Sequence, residues 1–451
     1  MALSTNRLQL HFRQLASALC DRSLPGEQMR LNFTGEQSQF IRFNQSKVRQ
    51  IGTVSDGQLT LTVMIQQRSA KHTIPVTGVW DQDWMQLLDA LDGLRRDAPQ
   101  LPIDPFEVLP NHAAPSAATS TETHPGQIPA PKYTADLILS PVIHLDFTGL
   151  YAGGVMMRGY ADSAGQYHWF STDSFTLDYS IFTANGQAVK GTYAGRHWQP
   201  DRYLDQLDDA KQQLARLAQP AKSMPKGTYR TYFAPAALAE LVSLMTQGGF
   251  SESALQCGGS ALGLLKSGQK TLSPRLTIIE NFSHGLVPRF NHLGEMAPAQ
   301  LPLMVDGALV NTLVNSRTAK EYGAIANGAN DRERARSPDV SPGHLATDQI
   351  LPTLGTGLYV SNLHYLNWSD RPNGRATGMT RYACFWVEDG AIVAPIENLR
   401  FDDSIYRCFG DQLVALTDTA VFVPEVSTYD HRSLGGMWVP GAIVDEFVYT
   451  L

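Results

Sequence analysis

Cys257, His284, His292, Glu295 and His364 are the side chains best suited by type to bond-making chemistry, and their settings decide what is open to them. A thiol at Cys257, just before Gly258-Gly259, becomes a nucleophile where a histidine or a basic cluster lowers its pKa. The local sequence supplies neither, and a structural cysteine is the competing reading. His284, His292 and Glu295 share the stretch FSHGLVPRFNHLGEM, where glycine and proline leave no fixed ligand geometry. A surface loop without a metal is expected there. His364, between Leu363 and Tyr365, either turns out of a strand toward a groove or is a satisfied strand histidine. Thr377, Thr380 and Arg381 stand just before the apolar run Cys384-Phe385-Trp386-Val387. They are candidates for a substrate groove that holds a peptide backbone, with a simple turn as the alternative. Gly258-Gly259-Ser260 is too short to cradle a phosphate, and Lys266 lies too far on for G-x-x-x-x-G-K-[ST]. No cofactor is expected.

The elements that must position these groups are legible in outline. Leu8, Phe12, Leu15 and Leu19 fall at helical spacing, which predicts an amphipathic first helix. Strand signals follow at 30–33, 39–43, 48–54 and 58–65, punctuated by Gly35, Asn44 and Asp56-Gly57. Trp84, Leu87, Leu88 and Leu91 form the stripe of a second helix behind Asp81 and Asp83. Residues 109–132, rich in Pro, Ala, Ser and Thr, carry too little large apolar surface to offset ordering entropy. They read as a mobile connector or long surface loop, which makes His112 and His124 weak ligand candidates. Strand signals resume at 138–142, 154–160, 168–171 and 174–183. A helix over about 200–217 ends before Pro220 and Pro225.

That stop places a domain boundary after residue 222. Residues 1–222 are expected to form an N-terminal α/β domain with an antiparallel sheet, and 223–451 a β-rich C-terminal domain, an α+β fold. The second part opens with a strand at 227–233 and a helix starting near Pro235, with Leu238, Leu241, Val242 and Met245 on one face. At 451 residues, the chain can bury a large core. A net charge of -7 without a lysine or arginine block disfavours direct nucleic-acid binding. Asp331-Arg332-Glu333-Arg334-Ala335-Arg336 mixes signs and reads as a solvated loop. Four scattered cysteines suit free thiols in a reducing compartment. With no signal-peptide layout and no membrane-length apolar window, a cytoplasmic location is expected.

Gly357 to Ser404 reads as strand, turn, buried strand and an Asp389-Gly390 hairpin, followed by Pro395 and Asn398. Together with Pro302–Gly307 and Ser316–Gly323 (SRTAKEYG), this stretch closely resembles the C-terminal signature of the TldD/PmbA family of peptidase-related proteins, first called modulators of DNA gyrase. Catalytic members carry H-E-x-x-x-H on a helix and a late cysteine that complete a zinc site. Alignment on Gly258-Gly259-Ser260-Ala261 puts Ser243 and Gly248 at the histidine positions and Leu244 at the glutamate position. His431 or Arg432 stands about where the late cysteine would fall.

The resemblance therefore implies a PmbA/TldE-like subunit of a metallopeptidase-type assembly, lacking the family zinc motif, that handles unfolded or extended peptides. Its partner would be a second copy, as a homodimer, or a catalytic TldD-like sibling, as a heterodimer. Peptide contact by strand addition is expected. Two other readings stay open: an independent hydrolase with a non-metal nucleophile, handled by Cys257 or His364, and a scaffold modulating a nucleic-acid enzyme. The apolar runs 384–387, 421–423 and 437–439 suggest a dimer built on the C-terminal domain.

Overall fold

The computed structural model describes residues 4–110 and 119–451. Helix α1 (Thr5–Cys20) leads into the long strands β1 (Glu27–Asn44) and β2 (Lys47–Ile65), then β3 (Arg68–Pro75) and helix α2 (Trp80–Asp97). Next come β4 (Thr119–His124), α3 (Thr134–Leu139), β5 (Asp146–Asp162), β6 (Tyr167–Phe182), β7 (Ala188–Gly195) and α4 (Pro200–Leu217). These strands build one sheet in the order β3-β2-β1-β5-β6-β4, with β7 also on β6. All its pairings are antiparallel except β4 on β6. Leu8, Phe12, Leu15 and Leu19 of α1 pack with Leu87, Leu91 and Leu94 of α2 over Phe33, Leu61 and Trp169.

The glycines expected to divide this sheet run through it instead. Gly35 and Gly57 face each other in register within continuous β1 and β2. A β-carbon at Gly35 would come within 2.9 Å of the Phe33 ring, and one at Gly57 within 3.2 Å. Both positions are small so that Phe33 can lie flat over them, a packing need that resembles a turn signal in sequence. The strand expected at 138–142 is helical, with Thr134, Ile138 and Val142 buried at four-residue intervals. The connector expected over 109–132 is also corrected in part. Thr119–His124 joins the sheet, hydrogen-bonded along Tyr167–Thr172. A polar strand is stable there because the ladder satisfies its backbone, whatever its side chains contribute. Residues 111–118, including His112, lie outside the described residues.

Beyond α4 come β8 (Gly227–Phe233), α5 (Pro235–Thr246), the short helices α6 (Glu252–Gln256) and α7 (Gly263–Lys266), and strands β9 (Ile278–Asn281), β10 (Gln300–Val305) and β11 (Ala308–Leu309). Helix α8 (Ser316–Tyr322), β12 (Pro338–Val340) and α9 (Ile350–Leu354) lead to β13 (Gly357–Asp370), β14 (Arg375–Glu388), β15 (Ala391–Pro395) and β16 (Arg400–Ser404). The tail adds β17 (Leu413–Leu416), β18 (Val421–Pro424), β19 (Gly436–Val439) and β20 (Ala442–Tyr449). One further sheet runs β11-β10-β9-β12-β19-β18, and another runs β13-β8-β20-β16-β14-β15 with β17 on β20. An α+β architecture with a β-rich C-terminal half results.

Helix α4 connects the two halves: its Tyr203 and Leu207 share an apolar cluster with Tyr179 of β6 and with Ala383 and Phe385 of β14. The apolar runs that suggested a covered C-terminal face are largely internal. Cys384, Phe385, Val387, Met437 and Val439 are buried, and 421–423 are half-buried.

Candidate functional site

Helix α5 explains where the site lies. Pro235 starts it, and Ala237, Leu238, Leu241, Val242 and Met245 bury one face in the C-terminal core. Its polar residues Glu240, Ser243 and Gln247 recur at three- and four-residue steps on the opposite face, so they must share one outlook. That outlook is a cleft of about 1120 Å³ between the N-terminal sheet and the C-terminal half. Asn32, Thr34 and Arg158 of β1 and β5 form one wall, and Glu240, Ser243 and Gln247 another. The loops 287–292 and 330–336 and the segment 423–437, with His431, close the remainder.

Two buried guanidiniums fix these loops. Arg432 donates from Nη1 to Ser38 Oγ at 3.1 Å and the Gly154 carbonyl at 3.3 Å, and from Nη2 to the Ser174 carbonyl and hydroxyl, each at 2.9 Å. Its backbone N–H donates to Glu36 at 3.3 Å, so the segment carrying His431 is stapled to the N-terminal sheet. Arg336 donates to the carbonyls of Pro288, Phe290, Arg289 and Gly328 and lies over the Phe282 ring. Glu280 Oε1 accepts from the backbone N–H groups of Arg336 and Ser337, while its Oε2 is buried without a partner. Burial pushes the Glu280 carboxyl up to about 7, against the pull of Arg336.

Glu240 and His292 are exposed in the cleft, whose walls partly desolvate them: this and then the nearby Glu425 raise the Glu240 carboxyl, and the same desolvation lowers the His292 imidazole. Arg158 is pushed down to about 10 by burial, with Glu36 opposing. The loop read as wholly solvated is corrected in part. Glu333, with φ at 50°, turns inward and accepts from Ser251 Oγ at 2.6 Å, Ser253 N at 2.9 Å and Asn315 N at 3.0 Å. Arg332 and Arg334 on either side are exposed and line the cleft.

Residues 226–450 match the family model described as the PmbA/TldA metallopeptidase C-terminal domain. The chain belongs to the TldD/PmbA family. Solved structures agree across both halves: a candidate modulator of DNA gyrase from Thermotoga maritima is 15% identical, with a TM-score of 0.77, over 98% of this chain and all of the other. TldE from Thermococcus kodakarensis is 14% identical at a TM-score of 0.76, again over 98% and 100% of the two chains. A candidate modulator of DNA gyrase from Bacteroides thetaiotaomicron is 15% identical at 0.76, over 97% and 98%. No curated protein matches the sequence.

Zinc is the ion the family implies, and the residues here do not fit it. Ser243 lines the cleft, but its hydroxyl donates to the Glu240 carbonyl at 2.7 Å. Leu244 is half-buried and apolar. Gly248, at φ 117°, ends the helix without a side chain. At the late-cysteine region His431 faces the cleft, while Arg432 is consumed by the N-terminal sheet. Among the described residues, no three His, Cys, Asp or Glu side chains are grouped to hold a metal ion.

Other sequence candidates lie elsewhere. Thr380 is buried in the β14 sheet and its Oγ1 accepts from Leu399 N at 2.8 Å, while Thr377 Oγ1 donates to the Phe401 carbonyl at 2.9 Å. Arg381 is exposed over the Tyr382 ring, and the His364 ring lies tilted against Tyr365 with centroids 4.2 Å apart; neither lines the cleft. Cys257 is exposed, 3.2 Å from the Tyr322 hydroxyl, with no histidine bonded to it among the described residues. His284 and His292 part company. His284 bonds Asp339 at 3.0 Å and stacks on Trp438, whereas His292 enters the cleft and Glu295 bonds Asn291. Sequence reasoning missed Arg158, Glu240 and Gln247. A lone arginine in the apolar run 154–160 and the polar stripe on α5 were the available signals.

Proposed function

We propose that this chain is a zinc-site-lacking TldD/PmbA-family subunit that holds unfolded or extended peptides for a metallopeptidase-type assembly, paired with a second copy or with a zinc-bearing sibling. The observation that carries this is the inter-half cleft, large enough for several residues of chain and lined by Ser243, whose hydroxyl bonds its own helix; by the family resemblance, Ser243, Leu244 and Gly248 stand where zinc-site residues would be, and none of them suits the ion. Its walls offer amide and hydroxyl groups from Asn32, Thr34, Ser243, Gln247 and Ser427, which suit backbone recognition more than bond cleavage.

The outer edge of β2 over 47–57 meets no further strand among the described residues and exposes Val48, Ile51 and Val54, so backbone groups are available for strand addition. Free thiols at Cys20, Cys257, Cys384 and Cys408 support a reducing compartment such as the cytoplasm.

The test uses the full chain, alone and co-expressed with a zinc-bearing sibling. Elemental analysis is expected to find no stoichiometric zinc in the chain alone, and no cleavage of unfolded casein. Zinc at one per chain, removed together with proteolysis by a chelator, overturns the reading.

A further inference from the structure

Five N–H donors make a buried guanidinium costly unless most of them are bonded. Arg336 and Arg432 meet this rule with four side-chain bonds each. Arg158 does not. Its side chain makes one hydrogen bond, from Nη1 to the Met157 carbonyl at 2.8 Å, and no ion pair among the described residues. The acid whose charge acts on it, Glu36, is already committed to Ser38 Oγ at 2.9 Å and to Arg432 N. Arg158 nonetheless stands on β5 in the cleft wall, beside Thr34 of β1. The exposed Arg332 and Arg334, whose guanidiniums have no partner among the described residues, line the same cleft.

We propose that Arg158 anchors a carboxylate of the peptide held in the cleft, its planar fork taking both oxygens, with Arg332 and Arg334 drawing the anion in. This rests on the peptide-holding reading above and adds its specificity. The carboxylate comes from the peptide C-terminus or from an acidic side chain. A forked, charge-assisted contact in a site partly removed from water is stronger than neutral hydrogen bonding and favours arginine over lysine. Glu240 and Glu425, close enough to raise the former's pKa, repel a carboxylate from their wall and so set which way the chain lies.

Three probes decide the matter by titration calorimetry on the full chain: an N-acetylated alanine-rich hexapeptide with a free C-terminal carboxylate, its C-terminal amide, and the amide carrying one internal glutamate. The free acid is expected to bind about tenfold or more tighter than the amide. Tight binding of the glutamate peptide assigns the contact to side-chain carboxylates, and binding like the plain amide assigns it to the terminus.

In Arg158→Gln the acid-to-amide ratio is expected to fall below about twofold. In Arg158→Lys, which keeps the charge without the fork, it should lie between the two; this variant serves if Arg158→Gln melts early. Equal binding of all three probes by the wild type overturns the carboxylate anchor and leaves the peptide reading standing. A ratio that survives Arg158→Gln overturns the anchor as well. Binding of none of the probes overturns both.

Discussion

The hairpin β13–β14 and the cleft beside α5 are opposites in how sequence relates to role. The hairpin carries the most recognisable stretch of the chain, yet its threonines are spent inside the sheet, Thr380 on Leu399 and Thr377 on Phe401. The cleft draws on residues from 32 to 437, none of them in a recognisable motif. A distinctive segment marks the scaffold of this family, and the site is where segments distant in sequence meet. Recognition and function therefore have to be argued from different residues.

The contrast is most directly broken at Arg432. Arg432→Ala leaves Ser38, Gly154 and Ser174 acceptors unpaired and Glu36 without its neighbouring charge, and is expected to cost about 3–5 kcal/mol. Urea denaturation gives the stability change, and limited proteolysis should cut first within 427–434. A loss below about 1 kcal/mol would mean that the cleft is not held by this staple.

Glu280 sharpens the same side of the comparison through pH. Its carboxyl is raised above the unfolded value of 4.5 to about 7, so its protonated form favours the folded state. The resulting stability is fully present below pH 4.5 and lost as pH rises through about 7. Relative to Glu280→Gln, wild type should lose stability between those limits, and the difference between the two proteins isolates this group from the other carboxylates. Parallel stability profiles for the two proteins would remove Glu280 as the cause.

The hairpin side should respond more mildly. Thr380→Val removes the acceptor of the Leu399 N–H and should cost about 1–3 kcal/mol, with peptide affinity unchanged. Altered affinity at unchanged stability would return Thr380 to the binding groove.

Helices with an apolar stripe were legible because one face is buried and one is not. α1, α2, α4 and α5 all follow the spacing of their leucines. Strand continuity was not, because Gly35 and Gly57 are shaped by the Phe33 ring from the same strand and its neighbour. Thr119–His124 escaped notice for a related reason: its stability is in backbone pairing with β6, which composition does not report. In the site, the sequence alone offered Ser243, Leu244 and Gly248 at the positions that the family resemblance assigns to a zinc motif, none of them a zinc ligand by type. Arg158, Glu240 and Arg332 converge only once the two halves have packed. Glu333 and Arg336 show the limit most plainly. In a run of alternating charges, a single residue at positive φ decides which side chains turn inward.

The bonds from Arg432 to Ser38 and Gly154 join residues separated by 394 and 278 positions. Contacts of such separation must first offset the entropy of closing a very long loop, so they form late in folding. During synthesis at about 5–20 residues per second, the N-terminal sheet, whose last strand ends at Gly195, waits roughly 10–50 s for the arginine that completes its outer wall. Until then Glu36 and Ser38 are open to water on a finished sheet, and nothing can lodge between halves of which only one exists. The cleft is thus timed as well as shaped: it exists only once the segment around Arg432 has been made and has folded back onto the N-terminal sheet.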